Sequence, residues 1–151
     1  MKRVVILDDD KDLRALLKSA LAAHGLEVIE ASTGREADEV LARFSVDLII
    51  VDGLLPDVPG IEFIERLCLR DPTIHIVFLS AFFRDLKTFK RLTKELGVSL
   101  FSYKPIDPLN FAEQIVEIVW GRRADAALTP PPPATAGDSA AAFELAEIRR
   151  R

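Results

Sequence analysis

Four stretches of the chain end in side chains whose types suit phosphoryl transfer. Asp8, Asp9 and Asp10 follow the apolar run Val4-Val5-Ile6-Leu7, and Asp52 follows Leu48-Ile49-Ile50-Val51. Ser80 follows the run from Ile74 to Leu79, and Lys104 follows that from Leu100 to Tyr103. Close carboxylates repel one another unless a cation sits among them. An incomplete set of hard oxygen ligands suits Mg²⁺, which keeps several waters and also binds phosphate oxygens. A carboxylate beside that ion can attack a phosphoryl group and hold it as an aspartyl phosphate. Lys104 would pair with one phosphoryl oxygen and Ser80 would donate to another, so that catalysis is positioning plus charge neutralisation. Taken singly, each residue has an ordinary role. A lone Asp after a strand is commonly a turn or helix cap, which is the expectation for Asp10, Asp57 and Asp107. The joint placement of Asp8, Asp9, Asp52, Ser80 and Lys104 at successive strand ends carries the chemical reading.

The elements that must position these residues follow from hydrophobic periodicity. Continuous apolar runs at 4–7 and 48–51 are what a parallel strand covered on both faces requires. Val28-Ile29, Ile74 to Leu79 and Leu100 to Tyr103 supply three more strands. Between them lie helical stripes: Leu13, Leu16, Leu17, Ala20 and Leu21, closed by Gly25; then Ala37, Val40, Leu41 and Phe44, with Thr33 or Ser32 as N-cap. Ile61, Ile64, Leu67 and Cys68 form a third stripe before Asp71-Pro72, and Leu86, Phe89, Thr93 and Leu96 a fourth before Gly97. The fifth opens at Asp107-Pro108 and carries Ala112, Ile115, Val116 and Val119. Strict strand–helix alternation implies an α/β fold, an open, doubly wound five-stranded parallel sheet with helices on both faces. In such folds functional groups gather beyond the carboxyl ends of the strands, where the acids, hydroxyl and lysine fall.

Composition sets outer limits. At 151 residues, with 49% hydrophobic and 29% charged residues, the chain is globular and long enough to need no disulfide or zinc staple. A single cysteine, Cys68, excludes an internal disulfide framework and any Cys-clustered metal site, and is expected in the core. His24 and His75 lack a second ligand at metal spacing. The net charge of −4 argues against nucleic-acid binding by general basicity. No signal peptide or transmembrane run is legible, so the expected location is cytoplasmic. Residues 1–121 read as the domain and 122–151 as a Pro/Ala-rich linker and tail containing Pro130 to Pro133. A disordered end is the ordinary expectation there; the alternative is a short helix over 140–150, marginal alone, as a docking element or, with Arg149 to Arg151, a weak membrane-surface contact. The tail has five Arg against four acids, so the excess negative charge belongs to residues 1–121.

These motifs resemble the receiver domain of two-component response regulators over about residues 2–121. The matching segments are Val5 to Asp10 with Arg14 shortly after, Ile49 to Pro56 with Gly60, Phe78-Leu79-Ser80-Ala81, and Tyr103-Lys104-Pro105. The resemblance implies a flavodoxin-like sheet of order 2-1-3-4-5 with five helices. It implies that Asp52 is the phosphoacceptor, Asp9 a direct Mg²⁺ ligand, Asp8 a ligand through water, and the Leu54 backbone carbonyl a further ligand. Ser80 and Lys104 would sense the phosphate, and Phe101 occupies the position of the family's switch aromatic. Partners so implied are a sensor histidine kinase or phosphotransfer protein and a downstream protein effector. A homodimer through helix 4, strand 5 and helix 5 is a further expectation. No activity beyond Mg²⁺-dependent self-phosphorylation and autodephosphorylation is expected.

Two features depart from the family pattern. Phe82-Phe83 follow Ser80-Ala81, where small or polar residues are commoner, and would pack inward or enlarge an output surface. Phe111, Ile118 and Trp120 lie outside the core stripe of the fifth helix and suggest a second, covered face. Three other readings stand beside the switch: a phosphorylation-independent interaction module, a receiver fragment of a longer regulator, and an aspartyl-phosphate phosphatase. The last needs an acid two residues past the nucleophile, and position 54 is Leu.

Overall fold

The computed structural model describes residues 1–81 and 85–121. Phe82, Phe83 and the segment 122–151, with its candidate helix over 140–150, lie outside the described residues. Five strands, β1 (Arg3–Leu7), β2 (Glu27–Ala31), β3 (Leu48–Asp52), β4 (His75–Ser80) and β5 (Leu100–Tyr103), form one parallel sheet in the order β2-β1-β3-β4-β5. Between and after them run α1 (Lys11–Ala22), α2 (Gly34–Arg43), α3 (Gly60–Arg70), α4 (Leu86–Lys90) and α5 (Pro108–Val119). The central strand β3 is buried at every position, as its unbroken apolar run requires.

Side chains alternate across the sheet and feed two cores. Val4, Ile6, Leu48, Ile50, Val77 and Leu79 pack under α1 and α5. Val5, Leu7, Ile49, Val51, Ile76 and Phe78 pack under α2, α3 and α4, with Phe63, Ile64, Leu67 and Phe89. Cys68 is half-buried against this second core and its thiol donates to the Leu96 carbonyl at 3.3 Å. Gly25 (φ 78°) and Gly97 (φ 69°) take the left-handed conformation after their helices, where a side chain would be strained. No helix among the described residues is long and apolar enough to cross a membrane.

The structure corrects several positions. Leu16 and Leu86 lie at the edge of their stripes and are 57% and 50% exposed. Phe44 follows the last turn of α2 in extended conformation, with the Arg3 guanidinium 4.9 Å from its ring centre. The fourth helix is not one continuous α-helix. After α4 the chain widens into a π-helical turn, Arg91–Glu95, where the Thr93 hydroxyl donates to the Phe89 carbonyl at 2.7 Å. Phe111 and Ile118 are not outside the core: both are buried against the α1 side of the sheet. Of the three residues taken to mark a covered second face, only Trp120 is exposed.

Candidate functional site

Because every strand runs the same way, all five deliver their last residues to one edge. Among the described residues, the buried polar or charged side chains are Asp8, Asp52 and Ser80, and all three stand there. Burying ionisable groups is costly unless they are paired, so their convergence demands partners.

The β1–α1 turn fixes the first acids. The Asp8 amide donates to the Ala31 carbonyl of β2 at 3.1 Å, extending the sheet by one rung. Asp8 Oδ1 accepts the Asp10 amide at 2.9 Å, and Asp10 in turn caps α1 by accepting the amides of Asp12 and Leu13. Asp10 is therefore committed to the helix, as its ordinary role predicts, leaving Asp8 and Asp9 for chemistry. Carboxylate oxygens of Asp8, Asp9 and Asp52 all lie within 4.8 Å of one another. Asp8 and Asp52 are buried, whereas Asp9 is exposed.

Lys104, one residue past β5, reaches this cluster. Its Nζ is 2.8 Å from Asp8 Oδ2 and 3.5 Å from Asp52 Oδ1. The Lys104 amide donates to the Ser80 carbonyl at 2.8 Å, and the Lys104–Pro105 peptide is cis. Ser80 itself pairs in register with Tyr103 and shares its face of β4 with Phe78. Phe101 stands apart from the acids. Its ring is buried between those of Phe78 (5.0 Å), Tyr103 (5.1 Å) and Phe89 (5.6 Å), so it joins β4 and β5 to α4.

The loop after β3 is held at both ends. The Gly53 amide donates to the Leu79 carbonyl at 3.0 Å, and that of Gly60 to the Gly53 carbonyl at 3.1 Å. A Cβ on Gly60 would lie 2.3 Å from the Asp52 carbonyl oxygen, so only glycine allows this approach. Leu54 is half-buried within the loop and bridges to Pro59. Asp57 behaves as the cap expected of it, but for a helix other than the next one. Its two oxygens accept the amides of Gly34 (2.9 Å) and Arg35 (3.0 Å), the first residues of α2. Thr33 Oγ1 accepts the third, from Glu36. Burial acts to raise the Asp57 pKa, but the amides of Gly34 and Arg35 outweigh it and hold the carboxyl below its ordinary 3.8.

Sequence reasoning noted Arg14 without giving it a role. From the first turns of α1 it reaches back to the Asp8 carbonyl at 2.7 Å and to Glu30 Oε1 in β2 at 3.2 Å. The sequence signal was a charged residue, Glu30, directly after the strand-like pair Val28-Ile29.

Three oxygens from close carboxylates, one of them on an exposed side chain, fit a hard divalent cation that keeps part of its water. A doubly wound parallel sheet of this strand order, with its ionisable groups gathered at the carboxyl edge, defines the flavodoxin-like class of α/β domains. Within that class the chain belongs to the response regulator receiver domain family, whose family model matches residues 4–116. It is 30% identical over 118 residues to the chemotaxis protein CheY of Thermotoga maritima, covering 78% of this chain and 97% of that protein. It is 34% identical over 107 residues to the alkaline phosphatase synthesis transcriptional regulatory protein PhoP of Bacillus subtilis. That match covers 71% of this chain but only 44% of the relative. Among solved structures, a CheY-like receiver domain protein from Methanospirillum hungatei superposes with a TM-score of 0.73 at 25% identity. It covers 81% of this chain and 96% of that one. The receiver domain of HemR from Leptospira biflexa gives 0.72 at 26% identity, covering 88% of this chain and all of that chain. Receiver domains belong to two-component signal transduction, in line with the family expected from the sequence.

Proposed function

We propose that the chain is a phosphorylation-dependent switch that accepts a phosphoryl group on Asp52 from a histidine kinase or phosphotransfer protein. The observation that carries this reading is a buried Asp52 held 3.5 Å from Lys104 and beside the Asp8 and Asp9 carboxylates. Asp8, Asp9 and Asp52, with the Leu54 carbonyl, would hold Mg²⁺, which supplies neutralising charge to the phosphoryl oxygens when bound. An oxygen of Asp52 attacks the phosphorus of a phosphohistidine. The new P–O bond forms as the P–N bond breaks, and its electron pair stays on the imidazole nitrogen. Lys104 pairs with one phosphoryl oxygen and Ser80 donates to another. In dephosphorylation water attacks the same phosphorus, releasing inorganic phosphate and restoring the carboxylate.

The output is a change in protein binding or self-association on the surface of α4, β5 and α5. Ser80 shares a strand face with Phe78, whose ring touches Phe101, and Phe101 touches Phe89 of α4. A shift of Ser80 toward a phosphoryl group therefore has a packed route to that surface.

The test is intact-mass measurement after incubation with Mg²⁺ and acetyl phosphate. Wild type gains one phosphoryl group, while Asp52→Asn and Mg²⁺-free wild type gain none. An unmodified wild type, or a modified Asp52→Asn, overturns the reading.

A further inference from the structure

We propose that Arg14, oriented by Glu30, is the positioning residue that aims the Asp8–Asp9 pair for cation binding; the inference rests on the Mg²⁺-dependent reading above. The Asp8 carbonyl belongs to the peptide group that joins the two acids. Asp8 is already fixed at its amide by the Ala31 carbonyl and at Oδ1 by the Asp10 amide. Its carbonyl end is fixed by Arg14 Nη1 at 2.7 Å. Losing that bond removes one of the constraints on the peptide that leads into Asp9, the exposed acid of the pair.

The guanidinium is itself held. Arg14 Nε lies 3.2 Å from Glu30 Oε1, and its side chain is only 14% exposed. The other Glu30 oxygen lies 3.7 Å from Lys18, an exposed residue one turn further along α1. One side chain thus links α1, the end of β1 and the end of β2, and each link uses a different nitrogen of the fork. A lysine at position 14 offers a single nitrogen and could not hold both partners in this geometry. Residues that orient metal ligands are commonly worth about 10- to 100-fold in metal affinity.

The experiment is calorimetric titration of the full-length chain with Mg²⁺, paired with urea unfolding of each variant in metal-free buffer. Arg14→Ala is expected to weaken Mg²⁺ binding about 10-fold or more, with Arg14→Lys giving no rescue. Glu30→Gln should weaken it in the same direction by less, and Lys18→Ala should leave it unchanged. Stability must move little, since a purely structural role would lower the unfolding midpoint and leave the affinity of the folded fraction intact. Wild-type affinity in Arg14→Ala, or full rescue by lysine, overturns the proposal while leaving the Mg²⁺ reading standing. If Arg14→Ala fails to fold, undiminished affinity in Glu30→Gln and Arg14→Lys overturns it equally. A wild type that binds no Mg²⁺ overturns both readings together.

Discussion

Lys104 Nζ sits 2.8 Å from Asp8 and 3.5 Å from Asp52, so its tighter partner is the acid just after β1 and not the proposed acceptor. The lysine bridges two buried carboxylates that repel one another.

Opposite signs follow for the two partners. Removing one side of a buried ion pair strands the other charge, so Lys104→Ala should cost about 3 kcal/mol in metal-free buffer. Asp52→Asn removes one of the mutually repelling carboxylates and should raise stability under the same conditions. Added Mg²⁺ should restore much of the Lys104→Ala deficit by binding the folded state. Urea midpoints with and without the ion check this, and a destabilised Asp52→Asn would contradict it.

Gly60 packs where no side chain fits. An added Cβ meets the Asp52 carbonyl oxygen at 2.3 Å and Gly53 Cα at 2.9 Å, and both are backbone atoms that cannot swing aside. Gly60→Ala should therefore cost on the order of 1–3 kcal/mol and slow phosphorylation of Asp52 by shifting the strand end that carries it. Denaturation together with a phosphorylation time course would show the linked losses. A stable variant with wild-type kinetics would mean that the loop relaxes freely.

Much of this molecule could be read from its sequence, for reasons visible in particular residues. The runs at Val4 to Leu7 and Leu48 to Val51 announce strands because both their faces are covered, and parallel strands ending at one edge bring Asp8, Asp52, Ser80 and Lys104 together. Periodicity places a stripe but not the width of its buried arc. Leu16 falls just outside that arc in α1, while Phe111 and Ile118 fall inside a wider one in α5. The π-helical turn coincides with a bond from the Thr93 hydroxyl to the Phe89 carbonyl, a local contact that hydrophobic spacing does not register. Arg14 with Glu30, and Asp57 with the start of α2, join elements 16 and at least 22 residues apart, and nothing short of the packed geometry pairs them.

Phe101 acts first as a packing residue. Its ring contacts those of Phe78, Tyr103 and Phe89 and is 5% exposed. Truncation to alanine should cost about 3–5 kcal/mol, the usual range for a buried phenylalanine. Phe101→Leu should cost less and still loosen α4, which would appear as faster amide exchange at Phe89 and Leu92. A cost below about 1 kcal/mol for the alanine variant, the range of surface substitutions, would remove Phe101 from the packed route between Ser80 and α4.

The cap supplied by Asp57 should make part of the stability pH-dependent. Its folded-state pKa is depressed, because the amides of Gly34 and Arg35 outweigh the upward push of burial. Below the unfolded value of about 3.9 the unfolded chain binds the proton more readily than the folded one, so the contribution is complete at neutral pH and fades as pH falls through the folded value. Replacing a capping Asp by alanine usually costs about 1 kcal/mol. Asp57→Ala should therefore trail wild type by about that much at pH 7, and the gap should close as the pH falls below the unfolded value and through the lower folded one. Asp71 and Asp85 also have lowered pKa values, held down by hydrogen bonds, but they are present in both proteins and cancel in the difference; Glu36, held down chiefly by its hydrogen bonds to Ser32, loses a small upward push from the Asp57 charge in the variant and cancels only in part. Asp57→Asn keeps one acceptor oxygen without the charge, so it should lie between the two at pH 7 and show no convergence of its own with Asp57→Ala in acid. Urea unfolding of the three proteins across this range gives the answer. A gap that stays constant with pH would mean that the carboxylate charge contributes nothing to holding the loop against α2.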